Sequence, residues 1–201
     1  MAEGIYQVLF LSQRNSARSL LAEAILNSIG RGRFRAFSAG VRPAAQIDPI
    51  VIDLLEHAQL PTDGLRPKHY REFAETGALP LDFVFTLSDT AAGEPMPVWP
   101  GAPVTAHWPS TDPTKLEDKV ERRRALIRTR SELENRLRIF LSLPFTSLDR
   151  LSMQERVTDI GRPANRGAEE QRSLRPPETD SEINSNRQRE SKSPAQAAPD
   201  A

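Results

Sequence analysis

The chain has 201 residues, 38% of them hydrophobic, and its 27 basic residues balance 27 acidic ones. A net charge of zero supplies no global field to steer the protein onto nucleic acid or an anionic membrane, so any anion site has to be local. There are no cysteines, which excludes disulfides, cysteine-bound metals and thiol chemistry carried by the chain itself.

Ile5 to Leu11 is an apolar, β-branched and aromatic run that predicts a buried first strand. A polar stretch follows, and Leu20, Leu21, Ala24, Ile25 and Ile29 then recur at helical spacing, which predicts a helix over 17–29 stopped at Gly30. Phe34 to Ala39 reads as a second strand ended by Gly40. Asp48-Pro49 is a helix start, with Asp as cap and Pro at the first position, and that helix should run to Ala58. A shorter helix is expected from Arg66-Pro67 to Ala74, a third strand over Leu81–Leu87 and a fourth over Val104–Trp108. Lys115 to Leu143 is a long charged amphipathic segment with Leu126, Leu133, Leu137 and Phe140 as its inward residues, interrupted by Pro144. Ser147 to Ile160 predicts a last helix, with Leu148, Leu151 and Val157 as its apolar positions.

Strands alternating with helices point to an α/β class: a single three-layer domain, with a four-stranded parallel sheet carrying helices on both faces. The domain should occupy residues 1–160. From 161 to 201 the residues are mostly Arg, Glu, Gln, Ser, Asn, Pro and Ala, with no aromatics. Such a composition cannot bury enough apolar surface to offset its ordering entropy, so a disordered tail is expected there. No stretch approaches the roughly 18 apolar residues of a membrane span, and no signal peptide is read, so the expectation is a cytoplasmic protein with no membrane partner.

The first strand runs into Ser12-Gln13-Arg14-Asn15-Ser16-Ala17-Arg18-Ser19. A strand, a tight loop and then a helix aim several backbone N–H groups at one spot, and the helix N-terminus adds partial positive charge. Arg18 can close a two-pronged contact on a tetrahedral oxyanion. Geometry alone therefore suggests a phosphate-sized anion site in residues 12–19.

The same run resembles the signature loop of the low-molecular-weight tyrosine phosphatases and the related arsenate reductases, which reads Cys, five residues, Arg, then Ser or Thr. Ser12 to Arg18 fits that frame. Further segments that resemble the family are Phe34 to Gly40, Gly64-Leu65-Arg66-Pro67-Lys68, Leu81 to Glu94, Pro97-Val98-Trp99-Pro100-Gly101, His107-Trp108 and Asp112-Pro113, with an arsenate-reductase-like bacterial flavour. Together they cover most of residues 5 to 160. The resemblance implies a nucleophile at the Ser12 position and an oxyanion held by Arg18 and the loop amides. It implies a leaving-group acid at Asp112 and a thiolate-stabilising hydroxyl at Ser19. The ligand implied is phosphate, arsenate or a phosphotyrosine-like group, and no cofactor or metal is implied.

Two departures stand against activity. The cysteine is replaced by Ser12, and the further cysteines that the arsenate-reductase branch often carries near Ser88 and Met96 are absent too. A serine hydroxyl is far less acidic than a thiol and needs an adjacent base; arsenate reduction needs thiol electrons, which an alcohol cannot supply. Gln13 and Arg14 also stand where the family commonly has small residues, often Thr-Gly. If the glycine position needs φ > 0, Arg14 is strained there.

Each feature has an ordinary structural alternative. Ser12 can simply end a strand, Arg18 can be a solvated helix residue, Asn15 a turn former and Asp112-Pro113 a turn pair. His107 beside Trp108 reads as a packed loop residue. Arg122, Arg123, Arg124, Arg128 and Arg130 read as a solvated helix face balanced by Glu117, Asp118 and Glu121, and without interleaved aromatics they do not suggest nucleic acid. Three functional readings remain: a silenced phosphatase fold that still binds an oxyanion, a scaffold for a protein partner, and an active phosphatase or arsenate reductase working through Ser12 or water.

Overall fold

The computed structural model describes residues 4–162; of the expected tail over 161–201, all but Gly161 and Arg162 lie outside the described residues. Four strands form one all-parallel sheet: β1 (Tyr6–Ser12), β2 (Phe34–Gly40), β3 (Phe83–Thr86) and β4 (Val104–His107). Their order across the sheet is β2-β1-β3-β4. The helices are α1 (Arg18–Ile29), α2 (Pro49–His57), α3 (Asp89–Ala92), α4 (Lys119–Leu141) and α5 (Arg150–Gly161), with 3₁₀ turns at Tyr70–Phe73 and Pro113–Lys115. No described helix is long and apolar enough to cross a membrane.

Alternation along β1 divides the core. Val8 and Phe10 join a cluster with residues of α1, α2, α4 and α5, while Leu9 and Leu11 face Tyr70, Ala91 and Trp99 on the other side. The larger cluster is built around Phe85 stacked on Trp108 at 4.1 Å, with Phe140 of α4 edge-on to Phe83 and Phe85. Burying each of these side chains is worth about 2 kcal/mol or more. Trp108 Nε1 donates to Val157 O at 2.7 Å, so the indole ties β4 to α5 as well as filling the core.

Connectivity places the functional loop. β1 connects to β2 in one direction across the sheet, whereas β2 to β3 and β3 to β4 run in the other. With right-handed crossovers the first connection covers one face and the later ones the opposite face. α1 lies with the larger cluster, and the Tyr70 turn and α3 with the smaller one; the β2–β3 connection first lays α2 against the larger cluster before it crosses over. The two directions part between β1 and β3, so a crevice opens at the carboxyl ends of those two strands.

Several elements differ from the sequence reading. Residues 66–74 form no full helix. Arg66 precedes Pro67, which disfavours helical backbone there, and the segment stays extended: Gly40 N donates to Lys68 O and His69 makes a parallel bridge with Gly40. Only the Tyr70–Phe73 turn follows, capped by His69 Nδ1 accepting from Arg71 N at 3.2 Å. The long helix starts at Lys119 rather than Lys115, because Asp118 accepts from Glu121 N at 2.8 Å and fixes the cap there. The last helix starts at Arg150, capped by Asp149, and Leu151 is 72% exposed while Met153 takes the inward place. The third strand is limited to Phe83–Thr86, and α3 after it was not anticipated; Ser88 caps it through Ala91 N at 3.2 Å.

Candidate functional site

The loop after β1 is bound into the sheet from below. The carbonyls of Ser12, Gln13, Arg14 and Ser16 accept from the amides of Val41, Arg42, Ala44 and Asp48. With its carbonyls turned to the chain after β2, the loop presents its N–H groups on the opposite side. The amides of Arg14, Ser16, Ala17, Arg18 and Ser19 donate to no acceptor among the described residues. Ala17 at the start of α1 has no capping side chain, so the first turn's donors remain available too. This is a cradle of convergent donors at the positive end of a 12-residue helix.

Asn15 sets its shape. It is fully buried with φ +46°, a left-handed conformation that Asn tolerates and β-branched residues do not. Its Nδ2 donates to Ser19 Oγ at 2.9 Å and to Ser38 Oγ at 2.7 Å, and its Oδ1 accepts from Lys68 N at 2.9 Å. Arg14 has no positive φ, so the strain expected there falls on Asn15 instead, where the side chain is held by three bonds. Gly40 packs against this corner: a Cβ there would sit 3.0 Å from both Asn15 N and Asn15 Cβ.

Behind Asn15 lies a buried polar chain that the sequence reading missed. Ser38 Oγ donates to Glu23 Oε2 at 2.5 Å, and Lys68 Nζ stands 3.6 Å from the same oxygen. Burial pushes the Glu23 carboxyl up, opposed by Lys68 and Ser38, and pushes the Lys68 ammonium down, opposed by Glu23. The available signal was Glu23 itself, a lone charge inside the apolar run Leu20 to Ile25.

Ser12 Oγ, 3% exposed, is hydrogen-bonded to Ser19 Oγ at 2.8 Å and accepts from Asn15 N at 3.1 Å. Neither partner is a base. Nor does the polar chain relay a proton to Glu23, because the Asn15 amide nitrogen donates in both directions and accepts in neither. His107 lies in the row of Leu11 and Thr86, so alternation puts it on the sheet face opposite Ser12, bound to Thr86 Oγ1 at 2.8 Å and Asp89 Oδ1 at 3.1 Å.

Arg18 and Asp112 are brought together. Arg18 Nη2 donates to Asp112 Oδ2 at 2.8 Å, and Nη1 donates to Ser110 O at 2.7 Å and Leu87 O at 3.2 Å. Burial pulls the guanidinium below its ordinary value, while Asp112 and Asp89 pull it back; the group stays charged. Asp112 is itself fixed, accepting from Thr114 N and Thr114 Oγ1. Gln13 is half-buried and Arg14 exposed at the loop's rim. Of the basic residues on α4, Arg122 and Arg123 pair with Asp48 and Asp53, on and just before α2, rather than with the acidic residues of α4's own start. Among the described residues no cluster of His, Cys, Asp and Glu could hold a metal ion.

The family model for low molecular weight phosphotyrosine protein phosphatases matches residues 7–151. The chain belongs to this phosphatase family. The fold is shared with an arsenate reductase solved in its oxidised state, at 23% identity over 69% of this chain and 100% of that one, TM-score 0.53. It is shared likewise with a low molecular weight protein tyrosine phosphatase from T. tengcongensis, at 21% identity over 66% and 95%, TM-score 0.50. A thioredoxin-dependent arsenate reductase from Corynebacterium glutamicum matches at 26% identity, TM-score 0.49; 69% of this chain is covered, and the chain spans 61% of that protein's length. No curated protein sequence is significantly similar to the chain.

Proposed function

We propose that residues 12–19 hold a tetrahedral oxyanion, whether phosphate, arsenate or the head group of a phosphotyrosine-like ligand, and that this phosphatase-family chain binds it without turning it over. The observation that carries the reading is the surroundings of Ser12. Its hydroxyl sits at the floor of a donor cradle, and its partners are an amide and another hydroxyl. Such a setting stabilises an anion already formed but generates no nucleophile from an alcohol.

If Ser19 donates to Ser12, the Ser12 proton is free to join the loop amides on the bound oxyanion. Arg18 then serves as the electrostatic wall, and its carboxylate partner Asp112 has no leaving group to protonate. Arsenate is bound in the same way as phosphate and leaves unreduced, since the chain has no thiol to supply electrons.

Calorimetric titration with phosphate, arsenate and tungstate tests this, on the wild-type protein and on Arg18→Ala. Saturable binding that the substitution abolishes supports the reading. Absence of binding to all three anions sinks it and leaves the fold as a scaffold for another partner.

A further inference from the structure

Beside the loop, and sharing Arg14 and Ser16 with it, a cleft of about 190 Å³ opens between the segment before α2 and the start of α4. Two arginines line it. Arg14 is exposed and makes no ion pair among the described residues. Arg122 is held in place: its Nε donates to Leu116 O at 2.7 Å, and its Nη1 lies 3.7 Å from Asp48 Oδ2. The carboxylate of Asp48 is otherwise engaged, its Oδ1 accepting from Ile50 N at 2.9 Å to cap α2. Two cations against one carboxylate leave the cleft one charge positive. The rest of its wall mixes Ala44, Ile47 and Pro49 with the polar side chains of Gln46 and Thr114, and no aromatic side chain lines it.

We infer that this cleft is a second anion subsite, and that the ligand of this protein is a compact molecule carrying two anionic groups, such as a bisphosphate, rather than an aryl phosphate. The inference rests on the reading of residues 12–19 as an oxyanion cradle. Arg14 links the two places, because its amide belongs to the cradle and the residue also lines the cleft. A second phosphate or carboxylate offers acceptors to guanidinium donors that the protein leaves unused. An aryl ring offers none and would remove the same donors from water.

The test is calorimetry on the full chain at one pH and ionic strength, with phosphate, pyrophosphate and phenyl phosphate. Pyrophosphate is expected to bind at least roughly tenfold more tightly than phosphate, the equivalent of one charge-assisted contact, and phenyl phosphate no more tightly than phosphate. Arg14→Ala and Arg122→Gln should each bring the pyrophosphate-to-phosphate ratio down several-fold. Arg14 is exposed, so its substitution tests the cleft even where loss of Arg122 disturbs α4. The subsite is overturned if the ratio is unchanged in both variants, or if phenyl phosphate gains as much as pyrophosphate. Phosphate binding without any gain for pyrophosphate overturns the subsite alone; binding of neither anion overturns the cradle as well.

Discussion

Arg18 and Asp112 neutralise each other, with Nη2 2.8 Å from Oδ2 and both side chains largely buried. The arginine that a bound oxyanion would use is therefore already matched by a carboxylate. A bound anion shares Arg18 with Asp112 or displaces it.

Asp112→Ala should separate these roles. Removing one partner of a buried pair leaves the other uncompensated, at a cost of about 3 kcal/mol, so the unliganded variant should melt several degrees lower. Added phosphate should then stabilise the variant more than it stabilises the wild type, because the anion replaces the missing charge. Melting curves with and without phosphate decide the point: an equal or smaller gain in the variant means Asp112 does not compete for the site.

Asn15 carries two loads, its backbone conformation and its three side-chain bonds. Asn15→Gly keeps the positive φ without strain and loses only the bonds. Asn15→Ala loses the bonds and adds strain, so it should be the less stable of the two by about 1 kcal/mol. Both should lose anion binding, since Ser19 and Ser38 are no longer held. Urea unfolding of the three proteins gives the ordering; equal stability of the two variants would mean the left-handed corner costs nothing.

The fold was legible because the apolar runs over residues 5–11 and 34–39 have no helical period, while α1, α2 and α4 carry caps or apolar spacing that mark them as helices. Boundaries were poorer where caps compete. Asp118 and Asp149 decide their helix starts by bonds to Glu121 N and Ser152 N, and local sequence offers other candidates nearby. The segment 66–74 misled because its backbone is recruited by β2 and Asn15, a long-range effect that no local pattern records. Within the loop, spacing singled out Ser12 and Arg18, and Asp112 was named on the family resemblance alone; neither could reveal the Glu23–Lys68 support, whose members are far apart in sequence. The resemblance also assigned left-handed strain to Arg14, one residue before its place.

The Glu23–Lys68 pair makes stability depend on pH. The folded chain keeps the Glu23 proton to higher pH than the unfolded one, so this group's contribution falls as pH rises from 4.5 through its raised value. The folded chain gives up the Lys68 proton sooner, so stability is regained as pH climbs through its lowered value toward 10.5. Both ions are thus held at a cost between these limbs. Glu23→Gln alone should destabilise at neutral pH by leaving Lys68 unmatched, whereas Glu23→Gln with Lys68→Met should be close to neutral and flatten both limbs. Urea unfolding across this range provides the check, and a double variant with the wild-type profile would remove the pair from the explanation.

Ser12→Cys should recover a thiolate. The Asn15 amide, the Ser19 hydroxyl and the N-terminus of α1 all favour the charged form, so the new thiol should titrate well below the ~8.5 of a free cysteine. Ultraviolet absorbance of the thiolate against pH measures this. A value at or above that of a free cysteine would show that burial outweighs the cradle's donors.

The most direct measurement of the central claim is to incubate the wild-type protein with an aryl phosphate, following the released alcohol and the melting temperature together. The account predicts that the ligand stabilises the protein and is recovered intact over many hours. Release of the alcohol by the wild type, abolished by Ser12→Ala, would contradict it and make Ser12 a working nucleophile.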